Sequence, residues 1–361
     1  MKNGKVGVGI VGIGFGLSAE LPGFRACEGV EVLAVCSARR ERVEAAAQQH
    51  SIPHAFTDYG EMLTVEGLDL VSIVTPVYLH HPMTVAALEA GKHVLCDKPT
   101  AMNVAEAREM YTGAQTAGVI HMIDHELRFN PTRRKLKQML DEGYIGQLYH
   151  VNANIFSDFR ADPIARKWDW WSEAEKGGGA LGAAASHQID LLRWWVGEPL
   201  RVSGQLGTFV KQRQLPDSTE MRTVTSDDQC SFMAESGNGA LASVFITNVA
   251  RHPQGMRTEF QGERGTLILD AEERLWGRRA GESGLTEFTV PDPNLDLPNV
   301  QKNVWAVSFV SLARYLTDCI RAGKPLEEGA TFADGLRCQI VLDALRQSWA
   351  ERRWVDVPTT G

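Results

Sequence analysis

Gly12, Gly14 and Gly16 close a short apolar run, KVGVGIVGIGFG, directly before a segment of helical character. Glycines at such a junction let the chain turn tightly and bring free N–H groups, at the positive end of a helix dipole, against a phosphate. The stretch Gly12-Ile13-Gly14-Phe15-Gly16 therefore reads as a pyrophosphate cradle; the alternative is a glycine-rich turn that holds no ligand. The usual dinucleotide fingerprint is G-x-G-x-x-G, whereas here Leu17 takes the sixth place and the third glycine comes one residue early. The next apolar run, VEVLAVC, ends in Ser37-Ala38-Arg39-Arg40. An NAD site carries Asp or Glu in that position to hold the ribose 2′-hydroxyl. Ser37, Arg39 and Arg40 offer donors to a 2′-phosphate instead, so NADP is the expected cofactor and NAD the alternative. The arginines could equally form surface pairs with Glu41 and Glu44.

Further along, Thr75-Pro76 breaks a third apolar run and His80 heads the helix after it. Lys92 to Cys96 forms another buried run whose end presents Asp97-Lys98-Pro99. Ligands of parallel α/β sheets bind beyond the carboxyl ends of the strands, which makes Thr75, Pro76, His80, Asp97 and Lys98 candidate cofactor contacts. Lys98 could reach both the nicotinamide ribose and a substrate. Adjacent strand residues face opposite sides, so Asp97 and Lys98 have different tasks. His125 and Arg128, just past another strand end, are candidate substrate contacts. Asn130-Pro131 has the chemistry of a helix start, with Asn130 as cap and Pro131 at the first helical position.

In GGGALGAAASHQIDLLRWWVGEP, His187 and Asp190 share one helix face at a spacing of three. An unperturbed imidazole titrates near about 6.5, which suits a general base at neutral pH. Trp168, with Trp170 and Trp171, either walls a substrate pocket or packs in a core or subunit interface.

Alternating strand and helix signals over the first third predict a doubly wound parallel sheet: strands at 6–11, 30–36, 55–56, 68–74, 92–96 and 119–123. Intervening helices are expected at 18–27, 39–50, 59–67, 81–90 and 104–117. After about Asp124 the pattern changes. A helix at 132–142 leads to longer strands at 149–156, 200–209, 229–234 and 240–248, with hairpins at ESGNG and within RTEFQGERGTLIL, then helices at 304–322 and 334–352. This predicts an α+β second domain with an open, mostly antiparallel sheet; the expected division is 1–124 and 125–361.

With 361 residues, 43% of them hydrophobic, the chain can bury two cores. A net charge of −8 and the absence of basic runs argue against a nucleic-acid partner. Six cysteines without C-x-x-C spacing read as buried free thiols, and no metal site is expected. With no signal peptide and no apolar stretch of membrane-spanning length, a cytoplasmic protein without a membrane partner is expected.

The stretch TPVYLHHPMTVAALEAGKHVLCDKP resembles the Gfo/Idh/MocA oxidoreductase family, whose patterns are T-P-N-x-x-H and A-G-K-H-V-x-x-E-K-P. Val77 replaces the family's Asn, and Asp97 its common Glu. HELRFNP resembles the family's domain junction, residues 177–199 its glycine triplet and H-x-x-D helix, and residues 323–348 its C-terminal helix. The resemblance implies that Lys98 is a catalytic lysine, with His187 and Asp190 beside it in an interdomain cleft. The acid that many members carry one turn before the histidine falls on Ala183. It further implies hydride transfer between NADP or NAD and a secondary alcohol or carbonyl of a small-molecule sugar, polyol or cyclitol. The open sheet face would then mediate homo-oligomerisation into a dimer or tetramer. Two alternatives stay open: a dinucleotide-binding sensor without turnover, suggested by Ala183, and reduction of a non-sugar carbonyl.

Overall fold

The computed structural model describes residues 4–359. The chain folds into two compact units: Met1–Asn130 with Asp292–Leu336, and Pro131–Pro291 with Arg337–Gly361. No helix among the described residues is long and apolar enough to cross a membrane.

The first unit contains strands β1 (Val6–Val11), β2 (Val30–Cys36), β3 (His54–Phe56), β4 (Leu68–Ile73), β5 (His93–Cys96) and β6 (His121–Ile123). They form a wholly parallel sheet in the order β3-β2-β1-β4-β5-β6. All of β1 is buried, as its apolar sequence requires for a strand covered on both faces. Helices α1 (Leu21–Arg25), α2 (Arg40–Gln49), α3 (Tyr59–Leu63), α4 (His80–Glu89) and α5 (Val104–Ala117) connect the strands. Local chemistry ends them: Asp58 and Asn103 cap α3 and α5 by accepting the N–H groups of Glu61 and Glu106, and α5 stops on Gly118 at φ 62°.

The expected helix over 18–27 is split. A five-residue π-turn, Gly16–Glu20, precedes α1. Pro22 has no N–H to offer the carbonyl four residues back, whereas the N–H of Leu21 reaches five residues back to Gly16. Phe24 of α1 packs edge-on against Phe309 with ring centroids 5.3 Å apart. A Cβ on Gly23 would stand 2.5 Å from that same ring. Through these contacts the later helix spanning Val304–Ala322 joins the core of the first unit, with Leu312, Leu316 and Ile320 beside Val8, Ile10 and Leu70.

One ionisable residue interrupts this core. Glu20 is wholly buried, and Ser72 Oγ on β4 donates to its Oε2 at 2.6 Å. Burial, followed by the charges of Asp124 and Asp97, pushes the Glu20 carboxyl well above the usual carboxylate range.

The second unit adds α6 (Pro131–Asp141), α7 (Ser186–Val196) and the greater part of α9 (Phe332–Glu351), α8 being Val304–Ala322 of the first unit. Strand β7 spans Leu148–Phe156, β8 Pro199–Gly207, β9 Gln212–Gln214, β10 Met221–Thr223, β11 Gln229–Ser236 and β12 Leu241–Thr247. They are followed by β13 (Gly255–Gly262), β14 (Gly265–Leu269), β15 (Leu275–Arg279), β16 (Thr286–Glu287) and β17 (Val355–Asp356). Nine strands make one sheet, ordered β16-β15-β14-β13-β7-β12-β11-β8-β17, and β9 pairs separately with β10. Only β7 and β12 run parallel; every other neighbouring pair is antiparallel. Period-two alternation decides the faces: Val151, Ala153, Phe232, Val244 and Ile246 are buried, while Asn152, Ser231, Met233 and Ser243 lie on the other side. Trp195 of α7 meets Phe260 of β13 edge-on at 5.4 Å, fixing α7 to the apolar face.

Two residues of the first unit's core can be tested directly. Gly12 has φ 113°, and a Cβ there would lie 2.1 Å from the Val74 carbonyl oxygen. Gly12→Ala is expected to lower stability by at least about 1–3 kcal/mol; an unchanged urea midpoint would refute the assigned strain. An acid whose folded pKa exceeds its unfolded value weakens the fold as pH rises from the unfolded toward the folded pKa. Glu20 should do so above its ordinary value of 4.5. Glu20→Gln should therefore gain stability relative to wild type as pH rises, by at most about 1.4 kcal/mol per pH unit. Parallel stability–pH curves for the two proteins would show that Glu20 is not the group responsible.

Candidate active site

The order of the parallel sheet reverses between β1 and β4, the position at which such folds leave a ligand crevice. Gly12 makes the turn out of β1, its N–H donating to the Cys36 carbonyl at 2.9 Å. Gly14 faces open space, with nothing within 4 Å of an added Cβ. Gly16 meets β1 so closely that a Cβ would be 2.8 Å from Ile10 Cγ2. Gly16 thus supplies the close helix–strand contact that the fingerprint assigns to its third glycine, despite coming one residue early. The N–H groups of Ile13, Gly14 and Phe15 have no protein acceptor among the described residues. Thr75 Oγ1, at the carboxyl end of β4, is buried without a partner. Free donors, an open glycine and an orphaned hydroxyl fit a dinucleotide, with Ile13 to Phe15 against its phosphates.

Ser37 follows β2, and its N–H donates to the Phe56 carbonyl at 3.1 Å. Arg40 bonds Glu44 at 3.3 Å and Thr57 at 3.1 Å, so the surface pairing weighed from sequence is realised for this arginine. Arg39 is exposed. His80 is fully buried and joins two loops: Nδ1 lies 2.9 Å from the Pro99 carbonyl oxygen and Nε2 2.8 Å from that of Thr75. Burial pushes its pKa down, against the pull of nearby Asp97. The ring ties the Thr75-Pro76 break to the Lys98-Pro99 turn. Asp97 Oδ1 accepts the Lys98 N–H at 2.8 Å, leaving the Lys98 side chain at the end of β5.

Parallel pairing carries the strand ends sideways across the sheet. The N–H of Asp97 bonds the Ile73 carbonyl and that of Asp124 bonds the Cys96 carbonyl, at 2.9 and 2.8 Å. Asp124 and Glu126 are 1% and 3% exposed, and both lie within the electrostatic reach of Lys98 and Asp97. Burial raises both carboxyls, that of Glu126 to about 8. No sequence pattern singles out Glu20, Asp124 or Glu126. A carboxylate just past a strand end looks like a solvated loop residue until the neighbouring strands are assembled.

His125 is buried beside Asp124. Arg128 is buried too, donating to the Gly329 carbonyl and to Asp334, each at 3.2 Å. Those bonds tie Arg128 to the segment after α8. In the second unit, a π-turn at Leu181–Ala185 contains Ala183 and leads into α7. His187 and Asp190 are 4% and 1% exposed on that helix. Cys338 Sγ lies 3.8 Å from Asp190 Oδ1 and 3.5 Å from Arg193 Nη1, and Arg193 pairs with Glu198 at 2.7 Å. Trp168 lies under the guanidinium of Arg222, 4.0 Å from its ring centroid, and its Nε1 donates to the Thr223 carbonyl at 3.2 Å. Its indole is thereby clipped to the β9–β10 hairpin. The six cysteines are free thiols, five of them buried.

Residues 6–125 match the model of the oxidoreductase family with an NAD-binding Rossmann fold, and residues 133–268 match the GFO/IDH/MocA C-terminal domain. Levoglucosan dehydrogenase of Pseudarthrobacter phenanthrenivorans is 28% identical, covering 90% of this chain and 89% of its own. The solved structure of levoglucosan dehydrogenase in complex with NADH and L-sorbose superposes with a TM-score of 0.89 at 26% identity, covering 99% of this chain and all of that one. An oxidoreductase domain protein from Kribbella flavida reaches 30% identity and a TM-score of 0.89 over 98% of this chain and all of its own. The glycine turn, the strand-end lysine and the mixed nine-stranded sheet thus have a common origin: the chain belongs to the GFO/IDH/MocA family of nicotinamide-dependent oxidoreductases.

Proposed function

We propose that the protein transfers a hydride reversibly between NADP and a secondary alcohol of a sugar, polyol or cyclitol. The observation that carries this reading is Lys98, an ammonium at the carboxyl end of β5 with no direct ion pair among the described residues. It stands in the same unit as a glycine turn with unused N–H donors. The sugar class is supported by similarity to a levoglucosan dehydrogenase over most of both chains.

When bound, the nicotinamide supplies the hydride acceptor or donor, so the chain must orient the carbinol and manage its proton. In the oxidative direction His187 takes the hydroxyl proton as the C–H electron pair leaves. Lys98 holds its ammonium against the oxygen and stabilises the alkoxide charge that develops there. Asp190 orients His187 or holds a second substrate hydroxyl. For the cofactor's 2′-phosphate we assign the Ser37 hydroxyl and Arg39. The main chain of Ser37 is already engaged, and Arg40 is shared with Glu44 and Thr57. The four residues that follow β2, Ser37 to Arg40, include no carboxylate to repel a phosphate.

Ala183 supports a second reading, a dinucleotide sensor without turnover, because it puts no acid in the turn before His187. Steady-state assays across a panel of sugars, polyols and cyclitols separate the two. Turnover of at least one, lost by about 100-fold or more in Lys98→Ala while NADPH still binds, is the expected result. Cofactor binding with no reaction on any of them would favour the sensor, and near-normal turnover by Lys98→Ala would remove the lysine's role. The cofactor preference is read from dissociation constants: Arg39→Ala should weaken NADP by roughly 10-fold, the scale of a lost charge-assisted bond, and leave NAD unchanged. Equal effects on both dinucleotides would rule out Arg39 as the phosphate partner.

A further inference from the structure

At the amino ends of β5 and β6, the opposite end of the parallel sheet from Lys98, the first unit encloses a cavity of about 520 Å³. It opens where the edge strand β6 parts from the segment after α8. That segment is pinned at both ends: the Ile123 N–H donates to the Ala330 carbonyl at 2.7 Å, and the Lys324 N–H to the Cys319 carbonyl at 3.0 Å. His93 and His121, the first residues of β5 and β6, both line the space. In each ring Nδ1 accepts a main-chain N–H, from Ile120 to His93 at 3.0 Å and from Phe332 to His121 at 3.2 Å. A neutral imidazole that accepts at Nδ1 carries its proton on Nε2. Burial pushes the pKa of both rings down, that of His121 to about 4, so both are neutral at pH 7. A purely structural histidine needs only the Nδ1 bond. Here the two Nε2–H groups, the Tyr111 hydroxyl of α5 and the Lys324 ammonium have no protein partner among the described residues.

We propose that this cavity binds a small phosphate monoester, its phosphoryl oxygens taking the Nε2–H groups of His93 and His121, the Tyr111 hydroxyl and the Lys324 ammonium. Charge favours an anion: among the described residues no Asp or Glu lines the cavity, although the chain carries a net charge of −8. Donor shape favours phosphate. A flat carboxylate is best met by the planar fork of an arginine, and no arginine is among the described lining residues. One ammonium and separately mounted N–H and O–H groups suit a tetrahedral anion that accepts from several directions. Volume and wall chemistry favour an ester over the free ion. Ile320, Pro325 and Leu326 give the cavity an apolar wall, and its volume leaves room for an organic group beside the phosphoryl. A bound ester would bridge the amino ends of β5 and β6 to the segment after α8. The site shares no residue with the glycine turn and depends on neither the cofactor nor the reaction assigned above.

Calorimetric titration of the full chain with phenyl phosphate tests the site, because that ester has no carbinol to enter hydride transfer. NADPH is kept in excess so that the glycine turn is already filled, and inorganic phosphate is titrated in parallel. The expected result is one phenyl phosphate per chain, bound roughly tenfold or more tightly than inorganic phosphate through its buried ring. Lys324 is exposed and outside the core, so Lys324→Ala leaves the fold intact. It should weaken the ester by about tenfold or more, the scale of a lost charge-assisted bond. Tyr111→Phe should weaken it by roughly threefold, the scale of a neutral one. NADPH affinity should be unchanged in both variants. Undiminished ester affinity in both would put the phosphoryl group elsewhere and overturn the site. Absence of phenyl phosphate binding to the wild-type protein would overturn it without any variant, and equal affinity for inorganic phosphate would overturn the ester as its ligand.

Discussion

The chemistry of the first unit depends on how closely β1 approaches the end of β4. Gly12 passes within 2.1 Å, measured from the Cβ it lacks, of the Val74 carbonyl oxygen. That contact lets the chain leave β1 upward and begin the π-turn at Gly16, while the β4 end diverges toward Thr75-Pro76. A parallel sheet presents all its strand ends on one side, so opening the sheet at this switch point gathers Thr75, Asp97 and Asp124 around one crevice. His80 then sits between two of those ends, its ring nitrogens 2.8 and 2.9 Å from the carbonyl oxygens of Thr75 and Pro99.

The same geometry creates an electrostatic problem. Strand ends that converge bring acidic side chains together out of water, where ionised carboxylates are expensive. Burial pushes the carboxyls of Glu20, Asp124 and Glu126 upward, toward the neutral form, and Ser72 donates to Glu20. The second unit handles its buried charges differently, with each guanidinium given fixed partners. Arg133 pairs with Glu273 at 2.8 Å, and Arg160 bonds Asp169 and Ser172 while lying over Trp171. These pairs have defined geometry.

Much of this was legible in the residues. Strand and helix signals in alternation predicted the parallel sheet, and the longer strands and hairpin turns after 148 predicted a mostly antiparallel one, because tight turns join antiparallel neighbours whereas parallel ones need a helical crossover. The Gly12–Gly16 turn and the Asp97-Lys98-Pro99 strand end fall where they were expected. The π-turns were not legible: one depends on Pro22 withholding a single hydrogen bond and overlaps the segment 18–27 that read as ordinary helix, and the other precedes the helix that carries His187. Trp168 was read as a pocket wall or packing residue, and its stacking on Arg222 depends on a short hairpin that carries no periodic signal.

Amino-acid order alone determined the local decisions: where strands start and stop, which glycines must turn, and which cations are left at strand ends. Each of those depends on residues within a few positions of one another. Only the tertiary structure decided that α8, nearly two hundred residues after the parallel sheet ends, completes its core by seating Phe309 on Gly23 and Phe24. It alone brought Asp124 and Glu126 within the electrostatic reach of Lys98, and Glu20 within that of Asp97 and Asp124. Carboxyl protonation is governed by burial and by charges distant in sequence, and neither quantity exists until the strands are side by side.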